Sequence, residues 1–288
     1  MRIVLTGASG SLGAYLVESL GAAGHDVVAW SGGSTGARSG VPLVPVDLED
    51  GNAVAVRLDG DDPAAVIHAG ALSAAEGVRR DPERGHRVNV VATERIADWC
   101  ARRGRRLIYT STDLVFDGSR AWNREDDPAE PVLAYGRTKR AAEPAVLAVP
   151  GGLVARLCLL FGRSRCGRDV FFDRAIAALS RGEPQSFFDD EFRTPLHLAT
   201  AARILTRLVA MQVDGIVHVA GAERLSRHAL MWRSAKSLGL DETLVRANQR
   251  SQVPSAEPRP ADASLDTTRL MTLLPDLVRP TIEQALTR

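Results

Sequence analysis

The first thirteen residues narrow the choice of fold more than any other stretch. Residues 2–6 form a short apolar run that reads as a buried strand. It feeds directly into Gly7, Gly10 and Gly13, three glycines at three-residue spacing, and a helical pattern follows at once. Strand, glycine turn and helix in that order make a place for an anion. Gly7 turns the chain tightly. Gly10 removes a side chain, so that backbone N–H groups reach a pyrophosphate, and Gly13 lets the helix pack close to the strand. The helix N-terminus then offers its unpaired donors. A tight turn alone would also use glycine, but at the head of an α/β chain the arrangement favours a dinucleotide. Gly7, Ser9, Gly10, Ser11, Leu12 and Gly13 are its candidate cradle.

The downstream rhythm agrees. Apolar runs at 25–30, 41–47, 63–70, 105–112 and 151–162 read as five further strands, and residues 82–104 and 135–149 as helices, with Pro144 kinking or ending the second. Strands alternating with helices imply α/β class: a doubly wound parallel (Rossmann) sheet covered on both faces, its strand carboxyl ends on one edge. Residues 31–40 read as a flexible loop. Past about residue 165 the rhythm loosens into helices at 168–182, 197–212 and 227–239, a strand at 215–221 and an extended stretch at 253–264. The expectation is a dinucleotide-binding domain over 1–163 and a smaller α/β substrate lobe over 164–288, with the chain free to cross between them more than once.

Cofactor choice follows from the second strand, which ends Ala29-Trp30-Ser31-Gly32 without the acid that usually holds ribose hydroxyls. Arg38 in the next loop can meet a 2′-phosphate, which favours NADP(H) over NAD(H). Asp47, followed by Leu48, either accepts from the adenine amino group or caps the next helix. Ala69, Gly70 and Ala71 are small enough to let the dinucleotide pass. His68 reads as a satisfied core histidine, and Asn89 as either a brace for the active edge or an ordinary helical asparagine.

The chain has three tyrosines and two lysines, and one of each stands four apart, Tyr135 and Lys139, on one helical face aimed at the strand carboxyl ends. A phenol with pKa near 10 is a poor proton carrier at neutrality. A nearby ammonium favours the phenolate, and bringing the phenol to pH 7 takes about 4 kcal/mol of differential stabilisation. The pair reads as a proton device that serves a carbonyl oxygen while hydride moves, with the Thr112 hydroxyl holding the same oxygen.

TGASGSLG, STDLVFDG and YGRTK together resemble the extended short-chain dehydrogenase/reductase superfamily. RLCLLFGRS, FFDDEFRTPLHLATAARIL, GIVHVAGAERLSRHAL and RPADASLDTTRL are similar to the dTDP-4-dehydrorhamnose reductase family of sugar-nucleotide reductases. The likeness spans essentially the whole chain. It implies NADP(H)-dependent reduction of a 4-keto nucleotide sugar, with Thr112, Tyr135 and Lys139 as the catalytic triad and Asp113, Phe116, Arg193 and Arg259 on the substrate side. Leu114 departs from the family's usual aromatic. It also differs from the glutamate of related dehydratases, which favours simple ketone reduction and leaves the exact sugar open. Two other readings stay in view: a nucleotide-sugar epimerase, and a non-catalytic NADP(H)-binding regulator resembling the regulatory subunit of methionine adenosyltransferase. Arg163, Arg165 and Arg168 are further arginines that a diphosphate would need, and Phe171 or Phe172 is placed to stack on a base.

Bulk properties exclude other classes. A formal net charge of +1 gives no pull toward nucleic acid or an acidic membrane. The basic run at 101–106 joins a helix end to a strand, where cations are expected. No apolar run reaches the ~18 residues of a membrane span, and the N-terminal run is too short for a signal peptide. Cys100, Cys158 and Cys166 form neither a CxxC pair nor an even framework, so no metal site is expected, Cys158 reads as a core residue, and the cytoplasm is the default. The expected partner is the small nucleotide-sugar substrate; a homodimer is left open.

Overall fold

The computed structural model describes residues 1–167 and 170–287, so Arg168 of the arginine cluster lies outside the described residues. Strand β1 (Arg2–Thr6) runs through the glycine turn into α1 (Ser11–Ala22), and β2 (Asp26–Ser31) lies parallel beside β1. The segment read as a flexible loop instead contains β3 (Ala37–Arg38), paired antiparallel with β4 (Val41–Pro45). There follow α2 (Gly51–Asp61), β5 (Ala65–His68), α3 (Ala75–Arg80), α4 (Pro82–His86), a π turn (Arg87–Val91), α5 (Ala92–Arg103), β6 (Arg106–Thr112), α6 (Ala134–Leu147) and β7 (Leu153–Leu157). The C-terminal half supplies β8 (Leu160–Phe161), α7 (Phe171–Ser180), β9 (Gln185–Phe188), β10 (Phe192–Arg193), β11 (Leu196–His197), α8 (Leu198–Val209), β12 (Gly215–Val219), β13 (Leu225–Ser226), α9 (Arg227–Ser237), β14 (Val245–Asn248), α10 (Thr268–Leu273) and α11 (Ile282–Leu286).

Among the described residues the large sheet has eight strands in the order β12-β7-β6-β5-β1-β2-β4-β3, all parallel except edge strand β3. The chain leaves β1 in one direction and returns to β5 on the other side. The turn after β1 and the Ala69–Gly70 turn after β5 therefore flank the switch point, where open α/β sheets bind ligands. Strand alternation sorts the core into two layers. Ile3, Leu5, Ile67 and Ile108 pack with Leu16 and Leu20 of α1 and Leu205 and Leu208 of α8. Val4, Val66, Leu107 and Tyr109 pack on the other face with Leu58 of α2, Ile96 of α5 and Val146 of α6. A third cluster, including Phe172, Leu179, Phe187, Leu230 and Met231, is the core of the C-terminal half.

Several elements differ from the sequence expectation. The run 151–162 splits: β7 stays in the large sheet, while β8 leaves it to pair with β11. Strand β12 and helix α8 return from the C-terminal half to the large sheet and its α1 layer. Helix α6 continues through Pro144, which sits in its last turn. The 82–104 helix contains the π turn and ends at Gly104, whose φ of +60° suits glycine. Helix α2, the helix expected after β4, is capped by Asp50, whose carboxylate accepts from the N–H groups of Asn52 and Ala53 at 3.0 Å. That is the cap expected of Asp47, which instead accepts from Glu49 N–H at 2.9 Å.

Candidate active site

A cleft of about 820 Å³ runs along the carboxyl edge of the sheet. Gly7, Ser9, Gly10, Ser11, Leu12 and Gly13 line it, with Ser31 at the end of β2 and Gly32 after it, Asp47 and Leu48 after β4, and Ala69 to Ala71 after β5. The cradle suits a pyrophosphate. A Cβ on Gly13 would lie 2.1 Å from the Gly7 carbonyl oxygen, and one on Gly7, whose φ is +73°, would lie 2.7 Å from that of Ala69. Gly10 precedes α1 without any side-chain cap, so the helix presents backbone donors there.

Thr112, Tyr135 and Lys139 line the same cleft, with Ser111 beside them. Thr112 ends β6. Its hydroxyl donates to the Asp113 carboxylate at 3.1 Å and accepts from Leu114 N–H at 3.2 Å. Gly136 lets α6 approach this turn, since a Cβ there would meet the Leu114 oxygen at 2.1 Å. Lys139 is 1% exposed, and its ammonium lies 4.1 Å from the centroid of the Tyr109 ring. Burial pushes its pKa down to about 7, against an upward pull from the Glu143 carboxylate. The Tyr135 phenol moves opposite to the sequence expectation: burial, then the Asp113 carboxylate, raise it above its ordinary value of 10.0. The physical reason is that burial disfavours the phenolate, and the Asp113 charge adds to that penalty.

Behind these residues, a chain of polar groups links β1, β5 and α5. Thr6 accepts from Gly70 N–H at 2.8 Å and its hydroxyl bonds His68 Nδ1 at 2.7 Å. His68 Nε2 bonds Thr93 Oγ1 at 3.0 Å, and Thr93 donates onward to the Asn89 carbonyl at 2.8 Å. That network assigns the proton to Nε2. His68 is fully buried, stacks on Tyr109, and is pushed down to about 3 by burial, first, and the Lys139 charge. Asn89, on the π turn, accepts from Leu72 N–H at 2.8 Å and donates to Thr138 Oγ1 at 2.9 Å, bracing α6.

A family model described as RmlD substrate binding domain matches residues 1–288. The chain belongs to this family. Among its relatives is the Haloferax volcanii protein named Probable low-salt glycan biosynthesis reductase Agl14, 32% identical over 270 residues, 92% of this chain and 90% of that one. The dTDP-4-dehydrorhamnose reductase of Mycolicibacterium smegmatis is 32% identical over 276 residues, 93% and 79% of the two chains. Methionine adenosyltransferase 2 subunit beta of Bos taurus is 29% identical over 281 residues, 94% and 82%. The crystal structure of dTDP-4-dehydrorhamnose reductase from Bacillus anthracis in complex with NADP shares the fold, with a TM-score of 0.85 at 22% identity over 100% of this chain and 97% of that one.

In this member of the RmlD family, several side chains expected at the site point elsewhere. Arg38 donates to the carbonyls of Ala37 and Cys166, at 3.2 Å each, and is not part of the cleft lining. Phe116 is 1% exposed in the core, with the Arg156 guanidinium 5.2 Å from its ring centroid and His218 edge-on at 5.7 Å. Arg193 is 4% exposed and turned inward. It reaches Asp113 at 3.4 Å and Glu191 at 3.3 Å, and donates to the carbonyls of Phe192 and Pro260 at 2.7 and 3.4 Å. Arg259 is more open: its side chain is 37% exposed, 4.8 Å from the Phe188 ring centroid and 3.6 Å from Glu191. With Asp190, Arg250 and Glu257 it lines a second cavity of about 580 Å³. Arg163 contributes its carbonyl to the Tyr15 hydroxyl, and Arg165 pairs with Glu18 over the Tyr15 ring. Phe172 is core, while Phe171 packs on Phe187 beneath Arg227. Cys158 is buried and lines the cleft. Among the described residues, no cluster suits a metal ion, and no helix is long and apolar enough to cross a membrane.

Two carboxylates that the sequence reading passed over stand close to the site. Glu143, one turn beyond Lys139, is fully buried against Ser111 and Arg156. An acid four residues beyond the candidate lysine is a signal the sequence carries. Glu257 accepts from Ala134 N–H at 2.7 Å, capping the helix that carries Tyr135 from the C-terminal half. Nothing local in the sequence announces that contact.

Proposed function

We propose that the chain is an NADP(H)-dependent reductase of a 4-keto nucleotide sugar, with residues 1–163 holding the dinucleotide and 164–288 most of the sugar nucleotide. One observation carries the reading: Thr112, Tyr135 and Lys139 line the same cleft as the glycine cradle. The two reductase relatives at 32% identity support it. A bound nicotinamide supplies the hydride. The chain's own residues do the rest. Gly7, Gly10 and Gly13 admit the pyrophosphate, and Asp47 with Leu48 borders the adenosine end. Tyr135 gives its proton to the oxygen of the ketone undergoing reduction. Thr112 fixes that oxygen, and Asp113 fixes the rotamer of Thr112. Lys139 makes the phenol a better acid while it holds the ribose. The absence of an acid after β2 favours NADP(H), with Ser31 and Gly32 rather than Arg38 nearest the 2′-phosphate. Arg259 is the arginine placed for the substrate's diphosphate.

NADPH oxidation against a panel of 4-keto nucleotide sugars tests this: turnover with at least one member, lost in Tyr135→Phe, is expected. The bovine relative named Methionine adenosyltransferase 2 subunit beta, at 29% identity, favours a second reading, an NADP(H)-binding regulator. Tight NADPH binding with no turnover across the panel would favour that reading.

A further inference from the structure

For Tyr135 to release a proton near neutrality, Lys139 must stay charged in a site that strips it of water. Lys139 is 1% exposed. From β6 the Tyr109 ring faces it, from β5 His68, from its own helix Tyr135 and Glu143, with Arg156 of β7 beyond Glu143. Glu143 is the anion of this set and is fully buried. It accepts from Ser111 Oγ at 2.7 Å and from Arg156 Nε and Nη2 at 3.0 and 2.9 Å, while Arg140 stands 3.6 Å away. Ser111 immediately precedes Thr112, and Glu143 follows Lys139 by one helical turn. The carboxylate therefore joins the two elements that carry the triad.

We propose that Glu143 is a positioning residue of the triad: it ties the end of β6 to α6 and supplies the buried negative charge that keeps Lys139 protonated. The proposal rests on the Tyr135–Lys139 proton device described above. An opposite charge one turn away in a dry site acts strongly on a lysine. The burial of Lys139 works the other way, so removing the carboxylate leaves the ammonium with burial unopposed.

The two lysines make the test direct. Full-length protein labelled with ¹³C at lysine Cε gives two side-chain signals, Lys139 and Lys236, and Lys236→Arg assigns them. In the parent, Lys139 is expected to titrate below the ordinary lysine range, at about 7. Glu143→Gln is expected to lower the Lys139 midpoint by about one pH unit or more. The double variant Glu143→Gln/Arg156→Met, which leaves no orphaned guanidinium, is expected to do the same. Ser111→Ala removes a tie to Glu143 but keeps its charge, and should leave the midpoint within a few tenths. A merely structural role predicts that Ser111→Ala and Glu143→Gln behave alike. An unmoved Lys139 midpoint in the folded double variant overturns the proposal. The readout needs no substrate. If the midpoints move as stated but the parent turns over no keto sugar, the reductase reading fails and the role of Glu143 on Lys139 stands.

Discussion

Glu143 and Arg156 meet through two hydrogen bonds of 3.0 and 2.9 Å, with the carboxylate wholly closed to water and the guanidinium 2% exposed. The pair joins α6 to β7 beneath the cleft. A buried ion pair adds little against an apolar pair of equal volume, because desolvation offsets attraction. Losing one partner is different, since the other charge is stranded. Arg156→Ala should cost about 3–5 kcal/mol in urea unfolding. Replacing both with apolar residues of similar volume should recover most of that. Equal losses in the single and double variants would contradict the buried-pair account.

The glycine cradle makes a graded prediction. Gly13→Ala places a Cβ 2.1 Å from the Gly7 oxygen, whereas at Gly10 the nearest contact is 3.2 Å. Gly13→Ala should lose measurable NADPH binding by titration calorimetry or fluorescence. Gly10→Ala should weaken it less, by way of the blocked approach to the pyrophosphate. Gly21, inside α1 with nothing within 4 Å, is the control. Gly21→Ala should bind as the parent does and gain about 0.5–1 kcal/mol of stability. Similar binding by all three variants would remove the cradle from the cofactor site.

Tyr135→Phe removes the hydroxyl and little else. Turnover should fall by roughly 10²–10⁴-fold, the usual worth of general acid–base catalysis, with the NADPH dissociation constant changed less than about threefold. Parallel loss of both would make Tyr135 a binding residue and not the proton carrier.

Asp113 gives a pH signature. Burial pushes its carboxyl up from 3.8 to about 6, against the pull of Arg193 and the Thr112 hydroxyl. The folded chain therefore holds that proton more tightly than the unfolded chain. The stability it contributes is full below about 3.8 and is lost as pH rises through about 6. His68 and His218 act in the opposite sense. Burial depresses both from 6.5 to about 3, so their contribution is present above 6.5 and lost as pH falls through about 3. Comparison with Asp113→Asn isolates the aspartate. The stability of the parent relative to the variant should decline between pH 4 and 6 and level off above 7. A flat difference across that range would show that Asp113 does not titrate there.

The backbone plan was readable because its signals are local. Apolar runs, glycine spacing and helix ends identified β1, β2, β4 to β7, α1, α5 and α6, and the i, i+4 spacing of Tyr135 and Lys139 put those two candidates in one cleft. Side-chain direction was not readable. Arg38, Phe116 and Arg193 have residue types suited to a phosphate or sugar, yet they turn to a backbone carbonyl, the core and a buried acid. Three-dimensional context also governs the pKa order of Tyr135 and Lys139, since both shifts come first from burial. The bounds of helix α2 were not legible, since Asp47 and Asp50 are both cap types and its buried face is only Val54, Leu58 and Asp61. Strand β12 was visible as a strand, but joining the large sheet beside β7 is a long-range pairing that no run of residues encodes.

The bond from Ala134 N–H to Glu257 spans 123 positions of sequence. It means that the first turn of α6 takes its cap from the C-terminal half of the chain. Leu133, where a capping side chain would sit, provides none, and the carboxylate that fills in belongs to the same cavity wall as Arg250 and Arg259. The residue that immediately precedes Tyr135 is thus held by a side chain of the second cavity's wall.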